Sequence, residues 1–160
     1  MTHQIDIVVD EKYVQEIDSC GLEQLLNRLL QEVGPGKNSH LTLTITGDEI
    51  LQELNNAHRG LDYPTDVLSY PQSVDNDLFF PQNELDEDTY LGDIVISYPA
   101  ALRNTTSSSS TDIVQEIEHL VVHGALHLLG HDHDSLSSEK NMTEQEVLLL
   151  GEWVRDIWND

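Results

Sequence analysis

Alternation of apolar and polar residues predicts four β-strands in the chain. Each predicted strand either alternates with a period of two or holds a run of β-branched residues between turn residues, as a pleated sheet favours. The four segments are residues 4–9, 41–46, 66–70 and 91–97. Residues 71–90 are rich in Asp, Asn and Pro, and we interpret them as a loop with a candidate short hairpin at 78–81.

Apolar residues recur at helical spacing in four other segments: 20–33, 48–59, 112–129 and 143–158. The third segment is apolar almost all round in its second half, which indicates a buried helix. Thr111 or Asp112 is expected to cap its start, and Gly130 to end it in the left-handed conformation. The pattern predicts an α+β fold in a single domain, residues 1–160, with a mixed sheet of about four strands, helices packed on the sheet and this buried helix at the centre.

Length and cysteine content indicate one cytoplasmic domain. At 160 residues the chain is long enough for one compact core and too short for two domains of ordinary size. Its single cysteine, Cys20, gives no intrachain disulfide, so a cytoplasmic location is the expectation. Residues 1–10 lack the basic start and apolar block of an export signal, and no apolar run approaches the length of a membrane span. We therefore expect no membrane association.

The net charge is -23, from 30 acidic and 7 basic residues. Because Lys and Arg make most phosphate contacts, this balance argues against a general nucleic-acid coat. Two interpretations stay open: a small basic patch binds RNA within an acidic surface, or the substrate is not a nucleic acid. Much of the charge is equally well explained as a surface that keeps the protein in solution.

Five of the eight histidines fall within fifteen residues, on or just after the helix predicted at 112–129. They are His119, His123, His127, His131 and His133. Imidazoles buried among apolar side chains need partners for their ring nitrogens, and a shared metal ion satisfies several of them at once. The cluster therefore predicts a metal site and makes the central helix a metal-binding helix.

Helical spacing selects the histidines that share the ion. His123 and His127 stand one turn apart on one helix face, so both can bind the same ion, whereas His119 and His127 are separated by about 12 Å. A left-handed Gly130 turns the chain back, which lets His133 reach the ion as third ligand. His119 has no such help and is expected to be a solvated histidine without a role.

The spacing His123-x3-His127-x2-Gly130-x2-His133 is that of the metzincin proteases. Gly124 stands where those proteases carry the Glu that acts as general base, so proteolysis of that type lacks its base here. Three protein ligands with an open fourth position are typical of a catalytic zinc site, although nitrogen ligands also suit copper or nickel.

The residues beside the ligands keep alternative interpretations. His131 is either a solvated histidine or one that orients a ligand or moves a proton. Asp132 and Asp134 either accept hydrogen bonds from the non-ligating ring nitrogens or only cap the turn. The general base is open among His131, Asp132 and a metal-bound hydroxide.

Four blocks of the chain carry a family resemblance. They are Leu54-Asn55 with Arg59 followed by PTDVLS at 64–69, LGDIVIS at 91–97, HGALHLLGHDH at 123–133, and Met142 with Glu146. In this order, across about residues 50–150, the blocks resemble the bacterial YbeY endoribonucleases, an rRNA maturation factor family. Two features depart from the family, namely the acidic composition and the Ser/Thr tract at 104–111, and both concern the RNA-contact surface rather than the metal site.

The resemblance implies a zinc-dependent, single-strand-specific endoribonuclease that acts in rRNA maturation and ribosome quality control. It implies one zinc ion on His123, His127 and His133, and it carries Arg59 over as a residue of catalysis or RNA binding. The candidate catalytic residues are Arg59 and His123, and Arg103 joins Arg59 as a weaker candidate for phosphate binding. The implied partners are single-stranded RNA, rRNA above all, and the small ribosomal subunit or its assembly factors, with no DNA expected.

Two other functions stay open. The ligand spacing and the acidic surface also suit a metalloprotease or amidohydrolase, against which the missing Glu argues. A non-catalytic ribosome assembly factor, stabilised by zinc and docked on basic ribosomal proteins, explains the charge. For RNA cleavage itself, the nucleophile is either a water activated by the ion or the substrate's own 2'-hydroxyl, with Arg59 stabilising the charge that develops on the phosphate.

Overall fold

The structure, a computed structural model, describes residues 3–72, 88–105, 110–131 and 136–151. The elements follow one another in the order β1 (Gln4–Val9), a 3-10 helix (Glu11–Glu16), α1 (Ser19–Val33), β2 (Asn38–Thr46), α2 (Asp48–Arg59), β3 (Val67–Pro71), β4 (Asp88–Ser97), α3 (Tyr98–Asn104), α4 (Ser110–Leu128) and α5 (Leu136–Leu150). The hairpin predicted at 78–81 lies outside the described residues.

The strands form one mixed sheet in the order β1-β2-β4-β3. β1 is parallel to β2 and β2 to β4, whereas β3 runs antiparallel to β4. Parallel neighbours need crossover connections, which α1 supplies between β1 and β2, and which α2 and β3 supply between β2 and β4. The predicted α+β class with a four-stranded mixed sheet is confirmed. That residues 1–160 form one hydrolase domain stays a prediction.

Each face of the sheet carries its own apolar layer. Ile94 and Ile96 of β4 belong to the larger core, which they share with α1 and α4. Val95, which lies between them in the sequence, packs instead with Leu51 of α2 and Leu68 of β3. Because successive side chains of a strand point to opposite faces, α2 covers one face while α1 and α4 cover the other.

Helix α4 lies at the centre of the larger core. It contacts strands β3 and β4 and helices α1, α3 and α5. Its residues Val121, Val122, Ala125 and Leu126 are at most 1% exposed, as a helix apolar almost all round requires. The predicted buried central helix is therefore confirmed.

The C-terminal end of α4 has the geometry that its glycine predicts. Gly130 has a φ of 96°, in the left-handed region where glycine is favoured. The Gly130 N–H donates to the His127 carbonyl and the His131 N–H donates to the Leu126 carbonyl, both at 3.0 Å. These two bonds form a Schellman motif, so the chain turns back on itself directly after the histidine-bearing turn.

Several boundaries predicted from the sequence are wrong. Two are strand starts: β2 begins at Asn38 rather than at 41, and β4 begins at Asp88, inside the predicted loop, rather than at 91. The pattern predicts only a strand end at Tyr98-Pro99, but α3 begins there, because the Ser97 hydroxyl caps it by accepting from the Ala100 N–H at 3.2 Å. Helix α4 begins at Ser110, before the two residues expected to cap it. Helix α5 begins at Leu136 rather than at 143. The end predicted for it at 158 lies outside the described residues.

None of the helices in the described part of the chain combines the length and the apolar character that crossing a membrane requires.

Gly124 lets α4 approach the sheet closely. A Cβ at this position would lie 2.7 Å from Cγ2 of Ile94, 3.1 Å from Oγ of Ser69 and 3.4 Å from Cγ2 of Val67. The Ser69 hydroxyl also donates to the Gly124 carbonyl at 3.0 Å. Position 124 therefore faces β3 and β4, and a side chain there would force Ile94 or the helix itself to shift.

We predict that Gly124→Ala lowers the free energy of unfolding by about 1–2 kcal/mol. Overpacking against Ile94 costs about 1–3 kcal/mol, and the better helix propensity of alanine returns up to about 1 kcal/mol of that loss. Urea denaturation measures the difference. Glu23→Ala on the exposed face of α1 is the control, because it introduces alanine into a helix outside the core. A Gly124→Ala variant as stable as the unmodified protein would contradict the close packing.

Candidate functional site

Helix α4 presents three histidines on one face, each one turn from the next. His119 is 3% exposed, the His123 side chain is 12% exposed and His127 is partly buried. The Nε2 atoms of His123 and His127 lie 3.2 Å apart. Two nitrogens that bind one tetrahedral zinc at its usual bond length of about 2.0–2.1 Å lie about 3.3 Å from each other. The structure thus brings the predicted ligand pair together in a geometry that fits a shared ion.

A carboxylate on helix α5 joins the first two of these histidines. Oε1 of Glu146 lies 3.0 Å from Nδ1 of His123, and Oε2 lies 2.8 Å from Nε2 of His119. Glu146 is 1% exposed, so both contacts are shielded from water. Burial alone raises the pKa of Glu146, but the hydrogen bonds and charge of the two histidines outweigh it and lower the pKa to about 2.

The expectation that His119 is solvated is wrong. Helix α5 packs on α4 and covers this histidine, which pairs with Glu146. Helical spacing could not reveal the contact, because the two residues are 27 positions apart and belong to different helices. The only sequence signal for Glu146 was its place in the last block of the family resemblance.

Two ligand sets are compatible with the described residues. His119, His123 and Glu146 each offer one ligand atom, and these atoms lie within 4.8 Å of one another, so the three could hold a metal ion. The pair of His123 and His127 offers two Nε2 atoms that converge next to a cleft. His133, the predicted third ligand of that pair, lies outside the described residues, as do Asp132 and Asp134.

The histidine cleft is lined by Arg59, Asp66, Val67, Leu68, Ser69, Pro71, His123 and His127. Arg59 is the last residue of α2, where Gly60 ends the helix with a φ of 69°. The buried Asn55 fixes the following loop, because its Nδ2 donates to the Tyr63 carbonyl at 2.8 Å. The candidate residue Arg59 therefore shares one cleft with both histidines.

Arg103, the other candidate for phosphate binding, is engaged elsewhere. Its two terminal nitrogens donate to the Asp48 carboxylate at 2.8 and 2.9 Å. This bidentate bond holds the pKa of Asp48 below its ordinary value. In the described residues Arg103 is absent from the lining of the histidine cleft.

Glu116 is a carboxyl group near the site that sequence reasoning missed. It is 8% exposed and lines, with Asp66, Asn104 and His123, a recess that adjoins the histidine cleft. Nδ2 of Asn104 donates to both carboxylates, at 3.1 Å to Asp66 and 3.2 Å to Glu116. Burial raises the pKa of Glu116 above that of an exposed glutamate, against the effect of the Asn104 hydrogen bond.

Together the fold and the site define a class: an α+β protein whose buried central helix presents histidines and a paired carboxylate beside a cleft that also holds an arginine. Such a donor set is able to hold a metal ion. Position 124 faces the sheet rather than the cleft, so the general base of the metzincin proteases has no counterpart there.

Comparisons with known proteins give the family. The profile of the family described as Endoribonuclease YbeY matches residues 4–154. A protein of that name from Dehalococcoides mccartyi is 33% identical over 96% of this chain and 91% of its own length. Another from Shouchella clausii is 42% identical over 80% of this chain and 81% of its own. The chain belongs to the YbeY endoribonuclease family, which confirms the family resemblance seen in the sequence.

A solved structure agrees on the fold. The solution structure of a protein from Thermotoga maritima matches with a TM-score of 0.54 and 24% identity, over 98% of this chain and 96% of that one. At this level of identity the match supports the arrangement of strands and helices.

We predict that Glu146 makes the stability of the metal-free protein depend on acid. Its pKa is about 2 in the folded chain and 4.5 in an ordinary glutamate, so folding favours the ionised form. The stabilisation is therefore fully present above about pH 4.5 and is lost as pH falls toward 2. Urea denaturation gives the free energy of unfolding at each pH. Between pH 5.5 and about 3, the difference in this free energy between the unmodified protein and Glu146→Gln should shrink. Glu144→Gln on the exposed side of α5 is the control. A difference in unfolding free energy between Glu146→Gln and the unmodified protein that does not change with pH would contradict the pairing.

Proposed function

We propose that this protein is a zinc-dependent endoribonuclease that hydrolyses phosphodiester bonds of single-stranded RNA. The observation that carries the proposal is the 3.2 Å separation of the His123 and His127 Nε2 atoms at a cleft that also contains Arg59. His133 is proposed as the third ligand, since the turn at Gly130 sends the chain back after the histidine-bearing turn. The names of the family and its members support RNA as the substrate class.

The nitrogen donors suit one zinc ion. When bound, zinc supplies positive charge beside the scissile phosphate and activates water at neutral pH. His123 and His127 would hold the ion on the central helix beside the cleft, where it would supply charge and an activated water to a bound phosphate.

Arg59 is proposed to stabilise the phosphate during cleavage. Its guanidinium stays charged, and its planar fork matches two phosphate oxygens. Charge that develops on the pentavalent phosphate is best stabilised by a donor already aimed at it, and the cap at Gly60 and the Asn55 bond fix the end of α2. Arg103 remains a weaker candidate, because contact with a phosphate would require it to leave Asp48.

The biological context of the proposal comes from the family resemblance. We propose from it that the activity serves rRNA maturation and ribosome quality control in the cytoplasm, with the small ribosomal subunit or its assembly factors as partners and no DNA substrate. The net charge of -23 requires that RNA approach through a local positive patch such as Arg59 and the bound ion.

We predict that loss of a metal ligand and loss of the arginine have different effects on zinc binding and RNA cleavage. His127→Ala should lose both zinc and cleavage of a single-stranded RNA, because one of two converging nitrogens is gone. Arg59→Ala should keep zinc but cleave about 100- to 1,000-fold more slowly, as expected for loss of one charge-stabilising donor. Zinc content by atomic emission and cleavage rates on a labelled oligonucleotide measure the two effects. Lys140→Ala, which removes an exposed positive charge from α5, is the control.

The chemistry of the products decides between the nucleophiles and the rival functions. A 2',3'-cyclic phosphate indicates attack by the substrate's own hydroxyl, and cleavage of an all-deoxy strand indicates attack by water. Chelation should abolish cleavage, and added zinc should restore it. Zinc-dependent cleavage of unstructured peptides with intact RNA would instead favour the metalloprotease, and unimpaired function of Arg59→Ala would favour a non-catalytic assembly factor.

A further inference from the structure

The His123 ring is contacted at both of its nitrogens. Nδ1 lies 3.0 Å from a Glu146 oxygen, while Nε2 lies 3.2 Å from Nε2 of His127. A carboxylate on Nδ1 favours the tautomer that carries its proton there, since an ionised carboxylate only accepts hydrogen bonds. The lone pair of Nε2 is then directed toward the point that His127 also faces.

The carboxylate itself is held from its other side. His119 approaches the second oxygen of Glu146 at 2.8 Å, and these two residues are 3% and 1% exposed. With both oxygens bonded and no access to water, the carboxylate has little freedom to rotate away from His123. Helices α4 and α5 are in direct contact at this point, so the three residues connect two elements of the fold.

We propose that Glu146, held in place by His119, is a positioning residue that presets the ring orientation and the protonated nitrogen of His123 for metal binding. The proposal rests on the proposed function, because it takes His123 as a zinc ligand through Nε2. It assigns to His119 the part of an anchor for the carboxylate rather than that of a ligand. Carboxylates that accept from the non-ligating nitrogen of a histidine are a common support of zinc sites.

The competing arrangement places the ion directly on His119, His123 and Glu146. An ion there would have to replace both short contacts of Glu146, whose side chain is 1% exposed, and would need His119, which is 3% exposed. The contacts at 2.8 and 3.0 Å instead satisfy each carboxylate oxygen with one ring nitrogen. The geometry thus favours support of a ligand over direct ligation.

Zinc affinity separates these two roles. Zinc binding is measured by competition with a chromophoric chelator. The Kd of Glu146→Ala should be about 10- to 100-fold higher than that of the unmodified protein, the loss typical of a missing supporting carboxylate. Glu146→Gln still offers an oxygen to His123 and should recover most of the affinity. Glu144→Ala, exposed on the same helix, should bind zinc unchanged. Circular dichroism and thermal melting establish that each variant is folded.

Ring tautomers of the metal-free protein give a second readout that needs neither zinc nor RNA. In ¹⁵N-labelled unmodified protein at neutral pH, His123 should carry its proton on Nδ1. In Glu146→Ala it should shift to the Nε2-protonated form that free imidazole side chains favour. Glu146→Gln should keep the original tautomer, whereas a purely structural role would leave the tautomer unchanged in all three.

Each outcome bears on one claim. Unchanged zinc affinity or an unchanged His123 tautomer in folded Glu146→Ala overturns the positioning role while leaving the proposed function intact. Equal, near-complete loss of zinc in Glu146→Ala and Glu146→Gln also overturns it, and makes Glu146 a ligand. Absence of zinc binding by the unmodified protein overturns the proposed function itself.

Discussion

The structure depends on a carboxylate that is sealed inside the core between two imidazoles. An ionised glutamate without partners in this position would be strongly unfavourable, and His119 and His123 make it tolerable. The same pairing joins α5 to the central helix at the turn where the site lies. These two contacts therefore fix both the position of α5 on α4 and the site's geometry, so the fold and the candidate metal centre are not independent features.

Much of the fold could be predicted because its elements have strong local periodicity. The buried helix and the strand around Ile94 to Ile96 belong to this group. Helix α3 was not predicted. Ser97 and Pro99 are typical of a helix start, but they directly follow a strand and were interpreted only as its end. The early start of α5 was also missed, since its first turns carry few apolar residues at helical spacing.

The candidate site also has a part that local spacing predicts and a part that depends on contacts between different elements. His123 and His127 are one turn apart, so local spacing is sufficient to pair them, and Gly130 adds the turn that follows. The partners of His119 and Glu116 come from other elements, and no periodicity within one helix contains that information. Arg59 was predicted through family resemblance, while the cleft that unites it with the histidines exists only in three dimensions.

The contact between Gly124 and the sheet also limits which chemistry this site can acquire. A protease of the metzincin type needs a glutamate at this position, but here the backbone of α4 lies so close to Ile94 and Ser69 that even a methyl group is crowded. A glutamate at position 124 would add the carboxylate but would also be crowded against the sheet beneath the helix that carries the histidines. Gaining a metzincin-type glutamate would therefore first require smaller side chains on β3 and β4, or a larger distance between α4 and the sheet.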